Sequence, residues 1–182
     1  MQKTVVITGA GRDRVGIVAE LADFLFKLGC NLLDSSMTLL RGEFALILMT
    51  TLPEDLTVDD LRSQLSKVQE KLQLHFSVRE LAAEEMAEQE TANFQYIISV
   101  YGADKPGIVS GVTSKLAELK MNITDVQTKS VKGEYGKEIF VMMLELSSSI
   151  DLMSSALQEQ LSAFGANMGV NITVRELEVM EL

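Results

Sequence analysis

The chain has 182 residues, of which 47% are hydrophobic and 5% aromatic, and it carries a formal net charge of −10. Its apolar content suffices for two small cores, yet no apolar run approaches the roughly 18 residues of a membrane span, so no membrane partner is expected. The acidic excess is spread over residues 1–81, 82–93 and 94–182. Neither half therefore offers the basic surface that phosphate neutralisation needs, and direct nucleic-acid binding is not expected.

Met1-Gln2-Lys3 leads straight into Val5-Val6-Ile7, which reads as a strand over residues 4–9 and not as a secretory leader. Val18, Leu21, Leu25 and Leu28 then mark a helical face. Strands follow over 31–40 and 44–51, the second with Phe44, Leu46 and Leu48 alternating toward one side. Leu61, Leu65, Val68 and Leu72 have helical spacing, and residues 74–81 complete the half as a strand. Residues 82–93 are acidic and have no counterpart elsewhere, which suits a linker between residues 1–81 and 94–182.

The second half repeats the first. Gly11, Asp13, Gly16, Ile17 and Val18 recur 91 positions later as Gly102, Asp104, Gly107, Ile108 and Val109, and Asn31 and Asp34 recur as Asn122 and Asp125. Beyond a longer hairpin around residues 132–136 the offset becomes 96, where Arg79-Glu80-Leu81 falls on Arg175-Glu176-Leu177. Self-similarity at a fixed offset is evidence of duplicated structure. The elements repeat too, with helical faces at Val109, Val112, Leu116, Leu119 and at Leu157, Leu161, Phe164, Met168. Strands are expected over 94–101, 122–131, 138–146 and 170–178. The order in each half is βαββαβ, so the expected class is α+β, with two ferredoxin-like domains, each an antiparallel sheet with both helices on one face.

A strand ending near Gly11 hands over to a helix expected to begin near Arg14. The N–H groups around Val15, Gly16 and Ile17 would then lie in an unpaired first turn that attracts anions. Gly16 and Gly107 leave the backbone approachable. Asn31 and Asn122 open the following strands and offer both a donor and an acceptor to a zwitterion. The same residues also have structural readings: Asp13 and Asp104 as helix caps, the glycines as close-packing positions, the asparagines as turn residues.

Asp-Arg-Val-Gly-Ile-Val and Asp-Lys-Pro-Gly-Ile-Val at this turn, each followed by Gly-Cys-Asn-Leu or Lys-Met-Asn-Ile before the next strand, resemble the signature of ACT domains. The resemblance covers both halves, and the tandem arrangement with Gly29-Cys30-Asn31-Leu32-Leu33-Asp34-Ser35 is similar to regulators that repress glycine cleavage genes. It implies βαββαβ modules that bind amino acids where two modules meet, near the turn. The candidate ligand residues it implies are Asp13, Val15, Gly16, Ile17 and Asn31, with Asp104, Pro106, Gly107, Ile108 and Asn122. It also implies a cytoplasmic, non-catalytic sensor that takes an amino acid such as glycine or serine, engages a protein partner such as a transcriptional activator, and forms a homo-oligomer. A metabolite-binding subunit that regulates an enzyme directly is the first alternative, and a small enzyme of unrecognised type the second. Val15 stands where the family pattern has proline, as Pro106 does in the second half; proline preorganises a helix start.

Enzymatic readings fail on spacing. Gly9-Ala10-Gly11-Arg12-Asp13-Arg14 ends in arginine where a G-x-G-x-x-G loop requires glycine. Gly11 and Gly16 have the G-x4-G spacing of a phosphate loop, but Ile-Val follows where Lys-Ser or Lys-Thr is required. Tyr101 and Lys105 form Y-x-x-x-K without a nucleotide fold before them. His75 is the only histidine and Cys30 the only cysteine. Cys30 corresponds to Met121, which suits packing, and a lone cysteine can form no internal disulfide, which is compatible with a reducing compartment. No catalytic residue, cofactor or metal site is expected.

Overall fold

The computed structural model describes residues 3–82, 85, 94–132, 138–150 and 152–177. The chain divides into two compact units, Met1–Glu88 and Gln89–Leu182. Of the expected linker, only Ala82 and Glu85 fall among the described residues, and residues 133–136 of the longer hairpin lie outside them as well.

The first unit runs β1 (Thr4–Arg12), α1 (Ile17–Lys27), β2 (Asn31–Leu40), β3 (Glu43–Thr51), α2 (Val58–Leu72) and β4 (Leu74–Glu80). The second repeats it as β5 (Phe94–Ala103), α3 (Ile108–Glu118), β6 (Asn122–Lys132), β7 (Glu138–Ser148), α4 (Ser154–Met168) and β8 (Val170–Leu177). Each sheet is four-stranded, ordered β2-β3-β1-β4 and β6-β7-β5-β8, with every pairing antiparallel. These are the two ferredoxin-like domains expected from the duplicated pattern.

Period-2 and period-3.6 patterning account for the cores. Val5 and Ile7 of β1 and Phe44, Leu46 and Leu48 of β3 meet Leu21 and Leu25 of α1 and Leu61, Leu65 and Leu72 of α2 in one cluster. Tyr96, Ile98, Met142, Leu144, Val112, Leu116, Leu157 and Leu161 belong to its equivalent in the second unit. Truncating one such leucine to alanine typically costs about 2–5 kcal/mol. One expectation shifts by a residue: Ile17 and Ile108 begin the buried faces of α1 and α3, while Val18 and Val109 are exposed. Adjacent apolar residues at 17–18 and 108–109 leave the phase of the face open to either choice.

Local signals delimit the helices. Thr57 caps α2 by accepting the Asp60 N–H at 3.1 Å, and the Asp60 carboxylate accepts the Thr57 N–H, a reciprocal capping box. Gly169 ends α4 in the left-handed region that favours glycine.

The two margins of each sheet differ. On β4, the Phe76 N–H donates to Gln69 Oε1 at 3.3 Å and the Val78 carbonyl accepts from Arg62 Nη2 at 2.9 Å. On β8, the single amide of Gln158 does both tasks, donating to the Ile172 carbonyl at 2.8 Å and accepting from the Val174 N–H at 2.7 Å. Helix side chains thus satisfy backbone groups that an edge strand otherwise leaves open. The opposite margins are formed by β2, exposed along its whole length, and β6, exposed at every residue but half-buried Ile123. Both contain a bulge at the same place, Leu33 in β2 and Thr124 in β6.

Candidate functional site

The duplicated turn follows from how β1 ends. Arg12 is the last residue paired with β3, and the Asp13 N–H still reaches the Gly42 carbonyl at 2.9 Å. The Asp104 N–H makes the equivalent bond to the Glu138 carbonyl at 3.2 Å. The backbone then reverses through Gly16 at φ 96° and Gly107 at φ 91°, which cap α1 and α3 without a side-chain hydrogen bond. An L-residue is disfavoured at such φ values, so glycine is required here by backbone conformation.

This corrects three expectations. The first helix starts at Ile17 and not near Arg14, so Val15 and Pro106 precede the cap and do not preorganise a helical turn. Asp13 and Asp104 do not cap the helices. The glycines are not close-packing positions, because a Cβ on Gly107 would meet nothing within 4 Å and one on Gly16 only Glu20 Oε1 at 3.8 Å. The first-turn donors are the N–H groups of Ile17, Val18 and Ala19, and of Ile108, Val109 and Ser110. Ile17 and Ile108 bury their side chains, anchoring the helix start to the core.

Asp13, Val15, Gly16 and Ile17 are brought together at one end of the first domain, and Asp104, Pro106, Gly107 and Ile108 at the same end of the second. The asparagines are not with them. Asn31 is paired with Thr51, which is paired with Thr4 at the start of β1, whereas the turn follows Arg12 at its end. Eight residues of strand separate the two, about 26 Å at 3.3 Å per residue. Asn31 also lies on the sheet face away from α1, since its neighbour Leu32 pairs with buried Thr50. Asn122 occupies the corresponding place and donates from Nδ2 to Ser147 Oγ at 3.3 Å.

Sequence reasoning missed an ionic cluster at the first turn. Arg14 Nη1 lies 3.1 Å from Glu20 Oε1, Lys71 Nζ lies 2.9 Å from Glu20 Oε2, and Arg14 Nη2 donates to the Lys71 carbonyl at 3.2 Å. The hydrogen bond from Arg14, followed by that from Lys71, holds the Glu20 carboxyl below its ordinary value of 4.5. The cluster ties the turn and α1 to the last turn of α2. Its counterparts are Lys105, Gly111 and Asn167. The signal in the sequence was a charge pair at 14 and 20, too far apart for a pairing within one helix.

The remaining chemistry-bearing residues are dispersed. His75 is exposed on β4, and Cys30 is buried, which pushes its thiol above the ordinary value of 9.0. Among the described residues no three His, Cys, Asp or Glu side chains are grouped to hold a metal, and no helix is long and apolar enough to cross a membrane.

Residues 3–79 and 95–175 each match the ACT domain family. The chain is 38% identical over 85 residues to the UPF0237 protein of Streptococcus mutans, an alignment covering 47% of this chain and 91% of that protein. A crystal structure of an unknown protein from Galdieria sulphuraria superposes with a TM-score of 0.82 at 26% identity, covering 98% of this chain and 100% of that one. A structure provisionally assigned as a glycine cleavage system transcriptional repressor superposes with a TM-score of 0.74 at 18% identity, covering 98% and 99%. At that identity the likeness is one of fold.

Proposed function

This chain belongs to the ACT domain family, and from that premise we propose that it is a non-catalytic, amino-acid-sensing regulator acting through a protein partner. The observation that carries the reading is the duplicated left-handed glycine cap. In both domains it presents first-turn N–H groups with open space at the glycine, which suits an amino-acid carboxylate. Asp13, Val15, Gly16 and Ile17, with Asp104, Pro106, Gly107 and Ile108, form the ligand's first wall in this proposal. Asn31 and Asn122 form the second wall, contributed by another copy of the chain, because each asparagine is a strand's length from its own turn. Ligand binding then shifts the population of assembled forms that engage the partner.

Control of glycine cleavage genes is the specific role proposed, with glycine or serine as ligand candidates and a transcriptional activator as partner. The fold likeness to a protein of that provisional assignment and the tandem architecture support it. The net charge of −10 favours action through a protein over action on DNA.

Calorimetry of the whole chain against a panel of amino acids and against NAD(P) tests the reading. Saturable binding of an amino acid, with no cofactor binding, is the expected result. Saturable NAD(P) binding with turnover of a hydroxy substrate would overturn it, as would the absence of any amino-acid binder.

A further inference from the structure

In the first domain a cavity of about 80 Å³ opens between the N-terminal half of α1 and the exposed margin of the sheet. Val18, Leu32 and Met37 stand at it and are 53%, 44% and 55% exposed, whereas Leu46 and Leu48 of β3, buried in the core, close its floor. No charged side chain lines it. The bulge at Leu33 shapes it. With one residue looped out of register, Leu32 and Ser35, three positions apart, both oppose residues of the buried face, Thr50 and Leu48. Ser35 then places a small side chain where the layer beneath α1 needs a large one.

The cavity's size and lining restrict its occupant. A dry apolar cavity of about 150 Å³ accepts benzene, so one of about 80 Å³ takes a group of three or four carbons. Ser35 and Ser36 are its polar lining, and a charged group would find no counter-charge there. Val18 joins this space to the proposed carboxylate site, because its side chain lines the cavity while its N–H belongs to the first turn of α1. Carboxylate and aliphatic group within the span of one residue fit a short aliphatic carboxylate, which under the amino-acid-sensing reading is an α-amino acid. The repeat is different here: Ala22 and Ser35 correspond to Thr113 and Val126, which put branched side chains at the equivalent positions.

We infer that the first domain selects an amino acid with a small aliphatic side chain, of the size of valine or leucine, by seating that side chain between α1 and β2. The inference rests on the amino-acid-sensing reading above and names the ligand class for its first copy. Glycine leaves the cavity empty and forfeits the burial, worth about fourfold in affinity per methylene.

Calorimetry of the full chain with glycine, L-alanine, L-valine and L-leucine tests it. Valine or leucine is expected to bind at least tenfold more tightly than glycine. Ser35→Val, which copies the second repeat, and Ala22→Leu both fill the cavity with residues suited to their strand and helix. Each, checked for fold by circular dichroism, is expected to reduce valine and leucine binding at least tenfold. Leucine binding undiminished in the folded variants, or glycine binding reduced in them as much as leucine binding, would overturn the cavity's role while leaving amino-acid sensing in place. Failure of valine and leucine to bind, with serine or another amino acid of the wider panel binding, would likewise overturn only the cavity's role; the absence of any amino-acid binder would overturn both.

Discussion

Asn31 and Gly16 stand at opposite ends of one sheet, although the duplicated pattern assigns them to one candidate site. A ligand that touches both therefore needs a second module, oriented so that the start of its second strand meets the turn of the first. Asn31→Ala or Asn122→Ala, at whichever copy is active, is expected to weaken amino-acid binding by about 1.5–3 kcal/mol through loss of a hydrogen bond to a charged group. Stability should change by no more than about 0.5 kcal/mol, since both residues are exposed. Calorimetry paired with thermal melts checks this, and unchanged affinity in both variants would detach the asparagines from the site.

The glycine caps are expected to tolerate neither alanine nor valine, for reasons of φ and not of space. At Gly107 nothing lies within 4 Å of the place a methyl group would take, so Gly107→Ala isolates the conformational cost, about 1–2 kcal/mol. Gly107→Asn should recover part of that loss, because asparagine enters the left-handed region more readily. Urea denaturation of the two variants measures the difference. Equal stability of wild type and Gly107→Ala would show that the turn is not held at positive φ in solution.

Acid should loosen the first domain through Glu20. Its carboxyl is held below 4.5 in the folded state by Arg14 and then Lys71, so the unfolded chain takes up that proton first. The group's contribution to stability is accordingly present above about pH 4.5 and is lost as pH falls through the lower folded value. Glu20→Gln should flatten this part of the pH-stability profile. An unchanged acid limb in Glu20→Gln would mean that the ion pairs are not maintained in solution.

Gln158 presents a test of how the outer margin of the second sheet is held. Removing its amide by Gln158→Ala deprives the Ile172 carbonyl and the Val174 N–H of their partner, at a cost of about 1–3 kcal/mol. Hydrogen exchange provides a local readout, with the Val174 amide expected to lose protection before its neighbours. Persistent protection at Val174 in the variant would assign the bond a minor role.

Much of the fold was legible because each apolar pattern occurs twice. The alternation of Phe44, Leu46 and Leu48 is matched by Phe140, Met142 and Leu144, and all six are buried. The phase of α1 was not legible, because Ile17 and Val18 are both apolar and a left-handed glycine delays the helix start. Edge capping escaped for another reason: Arg62 corresponds to Gln158, and Gln69 to Gly165, so equal tasks fall to unequal residues. The turn itself could be located from its recurring Asp, Gly and Ile. Separation of the asparagines from it is a property of topology, since α1 carries the chain back to the end of the sheet where β1 began.

The unequal margins also limit growth. A sheet with two free edges can add strands without end, which is how soluble domains become fibres. Here helix side chains already bond two backbone groups on each of β4 and β8, so two sheets joined at their β2 or β6 borders would present partly capped outer rims. Within one sheet, joining uses up its open border and leaves the partly capped one outermost, which works against further growth along that sheet's hydrogen-bond direction.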